Sequence, residues 1–383
     1  MIRALTGLLV CWLLVVQGQA QAQELRLLPA VERYAVGQYV QVWEDPSAQA
    51  TALDALDALD QFAPLHADKL TRGTGLSAWW LYLELDHALP HTVEWLLKVD
   101  FSSLDHVDVW KVRGTSDVVP LYQGGDQFPF GERPIRHSAF LIPLHLQAQE
   151  KTALLLRVQT QGSVIVPLEI LSQTAFIEEQ ESERLLLGGL WGGLLFLMLY
   201  NLFLYLNVRD VAYLYYCMYI FTFVVSNMHL AGVGFHYLWP DWLWMQTGGV
   251  PVLFMISAMA ANNFSRLLLD LKNRHPLLDR ILVGFLVLDG ICVVVFPFLP
   301  FHLSFLTTAV VIMVMAIVMM AAGLLSFVEG YPPARYYFLA WITLFIAIVI
   351  FFFFFLGAVE GSYMLMWGLK VGAAMVALFF VIA

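Results

Sequence analysis

The sequence contains little charge and very little cysteine. Only 13% of its 383 residues are charged while 60% are hydrophobic, which argues against a chain that is soluble throughout. The three cysteines are Cys11, near the start, and Cys217 and Cys292, inside apolar stretches. Residues 23–182 therefore have neither a disulfide nor a thiol. We expect this segment to be held together by its hydrophobic core alone.

Metal-binding and catalytic motifs are also missing from the sequence. No His/Cys cluster has zinc spacing, and no twelve-residue loop has the acidic pattern of a calcium site. Gly-x-Ser-x-Gly and His-Glu-x-x-His do not occur either. Residues 24–183 carry 23 acidic and 11 basic side chains, a balance that discourages nucleic acid as a partner. We expect no metal, no cofactor and no catalytic residue in this chain.

One loop comes within a residue of a catalytic signature. The run "GGDQF" at residues 124–128 resembles the Gly-Gly-(Asp/Glu)-Glu-Phe motif of enzymes that make cyclic di-GMP, but Gln127 stands where the second acid belongs. The glycines also suit a turn, because glycine accepts a positive φ. We interpret this run as a turn and not as an active site.

The first 22 residues have the features of a secretory signal peptide. Arg3 precedes an apolar run from residue 5 to 16, and Ala20-Gln21-Ala22 supplies a cleavage motif. An uncleaved anchor is the alternative, although the run is too short to span a bilayer comfortably. We therefore predict that residues 23–182 form an exported domain.

The rest of the chain, residues 183–383, is dominated by long apolar runs. Each run has 19–25 residues, which is enough for a hydrocarbon core about 30 Å thick. The pattern predicts an all-α bundle of seven membrane spans. The predicted spans are Leu185–Leu206, Val211–Leu230, Trp244–Phe264, Ile281–Leu299, Leu303–Phe327, Tyr336–Leu356 and Tyr363–Ala383.

The charges of the connecting loops predict the orientation of these spans. Three loops carry six basic residues and the three alternate loops carry none, and basic loops face the cytoplasm. The exported domain would then lie in the periplasm of a bacterial inner (cytoplasmic) membrane protein, with the carboxyl terminus in the cytoplasm. The six basic residues are Arg209, Arg266, Lys272, Arg274, Arg280 and Arg335.

Short alternating segments in the exported domain predict strands. They recur every 8–15 residues between turn-forming breaks, and such spacing favours an antiparallel β-sandwich. The repeat "ALDALDALD" at 52–60 predicts a short amphipathic helix whose Leu53, Leu56 and Leu59 share a face. The predicted strands cover residues 78–85, 91–99, 104–112, 136–146, 152–160 and 163–171.

Both halves resemble one family. "GLSAWWLYLEL", "VDFSSLDHVDVWKV" and "GGDQFPFGERPIRHSAFLIPLHL" resemble the type 2 extracellular domain of bacterial seven-transmembrane receptors with diverse intracellular signalling modules. "YNLFLYLNVRDVAYLYYCMYIF" and "GYPPARYYFLAWITLF" resemble the helical region of that family. The resemblance implies a jelly-roll-like sandwich that senses a periplasmic ligand, a homodimer, and a cytoplasmic output module such as a diguanylate cyclase or a histidine kinase. Because the sequence ends in the apolar run "VALFFVIA", we expect it to be truncated before that module, the alternative being that partner proteins read the helices directly.

Aromatic and basic side chains of the exported domain are the candidates for contacting a small or carbohydrate-like ligand. An indole face packs on a sugar ring, and guanidinium groups bind carboxylates or hydroxyls. The alternative is a structural role, in the core or paired with Asp105, Asp108 or Asp126. The candidates are Trp79, Trp80, Arg133, Arg136, His137 and Arg157.

Polar residues inside the predicted spans are the second group of candidates, because ionisable groups in a bilayer are usually paired or functional. Asp289 of span four and Lys370 of span seven lie at depths that differ by about 8 Å or less. We predict that they meet and tie the two spans together, the alternative being that each reaches water or backbone separately. Asn227 and His229 are further candidates for coupling between helices.

These patterns favour a signal-transduction receptor that is not itself an enzyme. The linker "QTAFIEEQESER" at 173–184 is polar and helical in character, so it can pass a movement into span one. The aromatic loop "GFHYLWPDW" is a candidate contact surface between sandwich and bundle. The alternatives are a transporter or membrane enzyme with a substrate-capturing exported domain, and a pure scaffold.

Overall fold

Two facing β-sheets form the amino-terminal half of the protein. The computed structural model describes residues 24–114 and 117–355. Every strand pair is antiparallel except β1 with β6. The larger, seven-stranded sheet contains β1 (Leu25–Leu27), β3 (Val40–Asp45), β4 (Ala63–Pro64), β6 (Ala78–His87), β8 (His106–Arg113), β9 (Asp117–Gly124) and β11 (Lys151–Gln159).

The smaller sheet has five strands. Its order is β10, β7, β12, β2. The fifth strand, β5, pairs with the first half of β12, whereas β7 and β2 pair with its second half. The order of the larger sheet is β4, β3, β6, β11, β8, β9. The strands of the smaller sheet are β2 (Arg33–Ala35), β5 (Lys69–Thr74), β7 (Val93–Val99), β10 (Phe140–Leu146) and β12 (Ser163–Ser172).

The core between the sheets follows from strand alternation. In β8, Val107 and Val109 are fully buried between the sheets, while Trp110 points to the opposite face. Leu154, Leu156 and related residues of β6, β7, β11 and β12 complete this core. Burying each such side chain stabilises the fold by roughly 1.5–3 kcal/mol, so a cysteine-free domain can hold together.

The predicted short helix lies across the outer face of the larger sheet. Helix α1 (Ala52–Asp57) begins with a capping box, in which Thr51 and Asp54 each satisfy the other's backbone N–H. Ala55 is its fully buried residue, whereas Leu53 is exposed. The predicted short helix beside the sheet is confirmed, and Leu56 and Leu59 pack with Ala55 against the sheet. The expectation is wrong only for Leu53, which faces solvent.

The carboxyl-terminal half is helical. Among the described residues, five helices are long and apolar enough to cross a membrane, and the sixth predicted span overlaps a further helix, Ala334–Phe355. The seventh predicted span and the predicted leader lie outside the described residues. The helices are α2 (Gln173–Val208), α3 (Val211–Leu230), α4 (Val233–Tyr237), α5 (Leu243–Leu268), α6 (Leu271–Arg274), α7 (Pro276–Val295), α8 (Phe301–Val328) and α9 (Ala334–Phe355).

The basic loops gather at the end of the bundle remote from the sandwich. Arg266 pairs with Asp279 at 2.8 Å, and Arg274 pairs with Glu329 at 2.8 Å while lying 4.5 Å above the Tyr331 ring. These contacts join α5, α7 and α8 at one end. The opposite, charge-poor end faces the sandwich, as the loop charges predict.

Candidate functional site

Helix α2 joins the sandwich to the bundle without a break. It begins at Gln173, directly after the last residue of β12. Ser172 caps it, because its hydroxyl accepts a hydrogen bond from the Ala175 N–H at 3.1 Å. It then continues for 36 residues, about 54 Å at 1.5 Å per residue. Its first turns lie on the outer face of the smaller sheet, and its later turns form the first span. The polar linker predicted to be helical is thus part of a single rigid helix.

Ion pairs fasten α2 to the smaller sheet. The Glu179 carboxylate accepts hydrogen bonds from Lys98 at 3.0 Å and Arg33 at 3.2 Å. Lys98, only 2% exposed, also pairs with Asp100 at 2.9 Å. Burial alone would lower the pKa of the Lys98 ammonium, but Asp100 and Glu179 overcome that and raise it. Lys98 therefore stays charged and holds the helix to the sheet.

His137 forms a second, uncharged contact with α2. Its Nε2 lies against the Gln180 amide, its Nδ1 accepts from the Ala139 N–H at 3.0 Å, and its ring packs edge-on against Phe176 at 5.3 Å. Burial, with the nearby Lys98 charge, lowers the pKa of His137 to about 4. The ring is therefore neutral at neutral pH, and protonation would place an uncompensated charge inside the contact.

We predict that acid weakens this contact through His137. Unfolded histidine takes up a proton near pH 6.5 and folded His137 only near pH 4, so the unfolded state binds more protons between these values and stability falls as pH falls. The loss is roughly 1.4 kcal/mol per pH unit in that window. Thermal unfolding of the full chain at pH 7 and pH 5 measures it. His137→Gln should flatten the profile, and the exposed His91→Gln should not. Identical profiles for wild type and His137→Gln would contradict the assignment.

Arg133 lies at the centre of the contact between the sandwich and the bundle. Its guanidinium donates to the backbone carbonyls of His137 and Ser138 at 2.8 and 2.9 Å. It also lies 4.9 Å from the Phe130 ring and 5.7 Å from the Phe235 ring, the latter on α4. Burial lowers the pKa of Arg133 to about 10, so it remains a cation that joins the two domains.

Further contacts complete this docking seam, the name used below for Ser102 and residues 125–139 packed on residues 230–240. The Phe130 and Phe235 rings meet edge to face at 5.4 Å, and the Phe130 N–H donates to the Pro240 carbonyl at 3.3 Å. Gly232 has a φ of 69°, and a Cβ there would lie 2.7 Å from the Cβ of Ser102. The seam is therefore close-packed and leaves no room for a side chain at this glycine.

A cavity of about 740 Å³ lies beside the docking seam. It is a partly open cleft lined by the smaller sheet, the first turns of α2 and the carboxyl end of α3. The polar residues that line it include Arg33, Lys69, Asp100, Ser102, Ser138, Glu169, Glu178, Glu179, Ser182 and Glu183. Within the part of the chain that the structure describes, no group of three or more His, Cys, Asp or Glu residues is arranged to hold a metal ion.

The structure brings together only some of the predicted ligand contacts. Arg133 and His137 are buried on either side of the exposed Arg136, in one loop of the docking seam. Arg157 lies elsewhere, on the larger sheet, where it pairs with Asp108 at 3.4 Å and donates to the Ala48 carbonyl at 2.9 Å. The pairing with Asp108 is one of the structural alternatives that the sequence left open.

The two adjacent tryptophans point to opposite faces of β6, as predicted. Trp80 is 0% exposed and stacks on Trp110 at 5.6 Å, beneath α1. Its ring therefore presents no face to a ligand in this structure. Trp79 is half-buried against the main core, with the Arg72 guanidinium 5.1 Å from its ring.

The polar residues of the spans are mostly satisfied locally. Asn227 donates to the Phe223 carbonyl one turn earlier at 3.0 Å, whereas Asn262 reaches across to the Leu282 carbonyl at 2.9 Å. His229 is buried with its ring 5.7 Å from Trp239. Asp289 is fully buried, and neither carboxylate oxygen has a hydrogen-bond partner among the described residues. Lys370 lies outside the described residues.

Sequence reasoning found the aromatic half of this junction but not its ion pairs. The loop "GFHYLWPDW" contains Phe235 and Pro240, both of which contact the sandwich. Lys98 and Glu179 are 81 residues apart in the chain, and nothing in the local sequence signals their pairing. A lysine within the apolar strand "VEWLLKV" is the one hint, since a buried cation needs a partner.

Comparisons with known families agree with this architecture. The family model described as 7TM diverse intracellular signalling matches residues 183–383, and the one described as 7TMR-DISM extracellular 2 matches residues 37–172. No curated protein matches the chain. The family consists of membrane receptors with an extracellular sensor domain and intracellular signalling. With its sandwich, its apolar helices and these two matches, the chain belongs to the seven-transmembrane receptors with diverse intracellular signalling modules, and it carries their type 2 extracellular domain.

Proposed function

We propose that this chain senses a small periplasmic molecule and relays its binding across the bacterial inner membrane. The observation that carries the proposal is the single helix α2, held to the sandwich by Glu179 and continuous with the first span. In this proposal the sandwich is of the jelly-roll type, the receptor is a homodimer, and the carboxyl terminus lies in the cytoplasm. There it acts on an output module such as a diguanylate cyclase or a histidine kinase.

The relay needs two states of the junction with different affinities for the ligand. Helix α2 supplies one connection, since a rotation or shift of the smaller sheet moves the first span with it. The docking seam supplies the other, because Phe130 presses on Phe235 between α3 and α5. Two contacts at separate points turn a small rearrangement in the sandwich into a relative movement of α2 against α3.

The proposed ligand-facing residues divide into two roles. Trp79 and Arg136 remain reachable from solvent, and we propose these two for direct contact with a carbohydrate-like ligand. The buried Trp80, Arg133, His137 and the paired Arg157 would act by shaping the sandwich and the docking seam. The transporter alternative has less support, because Asn227 bonds within its own helix and the bundle cavity that it lines is otherwise mainly apolar.

Asp289 and Lys370 would join α7 to the predicted seventh span. A carboxylate buried in a bilayer requires a proton, a cation or a basic partner. Residues 356–383 contain a single basic residue, Lys370. We propose that it pairs with Asp289, so that the seventh span moves together with α7.

Locking the docking seam should freeze the output. The Ser102 hydroxyl donates to the Leu230 carbonyl at 3.4 Å, and both residues line the cavity beside the docking seam. We predict that Ser102→Cys with Leu230→Cys crosslinks under mild oxidation in native membranes. It should abolish at least 90% of the stimulus-dependent change in output of the full-length receptor, because the two domains can no longer move apart.

The matched control places one cysteine at the remote end of the sandwich. Thr92→Cys with Leu230→Cys should neither crosslink nor alter the response, because Thr92 precedes β7 at the end opposite the docking seam. Reduction should restore the response of the locked receptor. A crosslinked receptor that still responds fully would exclude relay through the docking seam.

A further inference from the structure

The cavity beside the docking seam, called here the junction cavity, has the size of a small-molecule site. Its volume of about 740 Å³ lies within the range of roughly 300–1,000 Å³ typical of ligand pockets. Its walls come from three parts of the molecule: the smaller sheet, α2, and Leu230 with Ala231 at the end of α3. A molecule bound there would contact every element of the proposed relay.

The walls of the junction cavity are more acidic than basic. Five carboxylates line it against two cationic side chains. Lys98 does not line the cavity, but it pairs with Asp100 and Glu179 and so adds one more positive charge close to it. The carboxylates are Asp100, Glu169, Glu178, Glu179 and Glu183, and the lining cations are Arg33 and Lys69.

Glu179 retains hydrogen-bonding capacity on this wall. Lys98 and Arg33 both bond to its Oε1. Its Oε2 is buried and has no hydrogen-bond partner among the described residues. An unsatisfied buried carboxylate oxygen is costly, and a donor with positive charge satisfies it best. Three hydroxyls, of Ser102, Ser138 and Ser182, stand around the same space as neutral donors and acceptors.

We propose that the junction cavity binds a small organic molecule that carries an ammonium group. Glu178 and Glu179 receive the ammonium from the α2 side, and the serine hydroxyls hold the remainder of the molecule. The inference deepens the proposed receptor function and rests on it. Since α2 and the sheet share the bound molecule, occupancy favours one position of α2 over the other.

Two sources can supply this chemistry. One is a soluble amine from the periplasm, which enters from the sandwich side. The other is the ethanolamine headgroup of a lipid, because Leu186 and Leu230 bring the cavity to the edge of the apolar spans. Both present an ammonium to the same carboxylates.

The test uses the full chain in nanodiscs of phosphatidylcholine, which has no net charge and no N–H donor, with 1,4-diaminobutane as the probe and isothermal titration as the readout. We expect saturable binding of the diamine at least tenfold tighter than that of 1,4-butanediol, which has the same length and no charge. Glu178→Gln should weaken diamine binding about tenfold or more. Glu181→Gln, the same change on the same helix but outside the cavity lining, should leave it unchanged.

Diamine binding no tighter than diol binding, or equal losses in Glu178→Gln and Glu181→Gln, would overturn the proposal. Repeating the titration with phosphatidylethanolamine in the nanodisc separates the sources. Weaker diamine binding there assigns the site to the headgroup, and unchanged binding assigns it to a soluble amine. The Ser102–Leu230 crosslink uses no amine, so it can succeed when this titration fails, and the two proposals can be judged separately.

Discussion

Replacing Trp80 with alanine should lower the free energy of unfolding of the sandwich by about 3–5 kcal/mol. The indole is 0% exposed and stacked at 5.6 Å on Trp110. Phe62, Leu155 and α1 close over it, so its removal leaves a cavity that the rigid sheet cannot refill. Hydrogen exchange of the β6 and β11 amides in the full chain reports this loss, because those central strands open only with the sandwich.

Trp79→Ala is the matched control. Trp79 precedes Trp80 on the same strand and is half-buried. Its truncation should therefore lower the free energy of unfolding distinctly less than truncation of Trp80. If the two variants lost equal protection, the placement of Trp80 beneath α1 would be wrong. If Trp80→Ala kept full protection but lost ligand binding, the indole would be a ligand platform and not a core residue.

The second large effect is expected for Asp289. Asp289→Lys should place two like charges in the bundle if Lys370 is its partner, and a charge at mid-bilayer costs roughly 2.5–3.5 kcal/mol. We expect a strong loss of folded protein in the membrane and of thermal stability in detergent. The double variant Asp289→Lys with Lys370→Asp should recover most of that loss, because it restores one pair of opposite charges.

Asp241→Asn controls for the loss of an acidic residue, since Asp241 is exposed outside the spans. It should leave stability near that of the unaltered chain. A double charge swap no better than its worse single variant would remove the proposed pair. The coupling between α7 and the seventh span would then need another explanation.

Much of the fold was predictable because its signals are local. The six predicted strands coincide with β6, β7, β8, β10, β11 and β12, whose alternating apolar residues form the core. The "GGDQF" run leaves β9 in a turn, as predicted, and a Cβ at Gly125 would lie 1.9 Å from the Asp105 carbonyl oxygen. Five predicted spans coincide with helices that are long and apolar enough to cross a membrane, because apolar length is a local signal. The orientation stays a prediction from loop charge.

Sequence reasoning missed six strands, and four of them have weak local signals. β1, β2 and β4 have two or three residues each, and β9 contains Pro120, which lowers strand preference. The six-residue strands β3 and β5 were also missed, although β3 alternates buried and less buried side chains in "VQVWED". The ion pairs between the sandwich and α2 could not be predicted from the local sequence either. Glu179 meets Lys98 and Arg33 only because β12 ends where α2 turns back along the smaller sheet, and such pairing depends on the tertiary fold.

The measurement that tests the account most directly is thiol labelling from one side of the membrane. Thr92→Cys lies in the sandwich, and Asn273→Cys lies in the short basic helix α6, at the remote end of the bundle. With a membrane-impermeant maleimide on spheroplasts, we predict that residue 92 is labelled at once and residue 273 only after lysis. Immediate labelling of residue 273, with residue 92 protected until lysis, would contradict a receptor that senses outside and signals within.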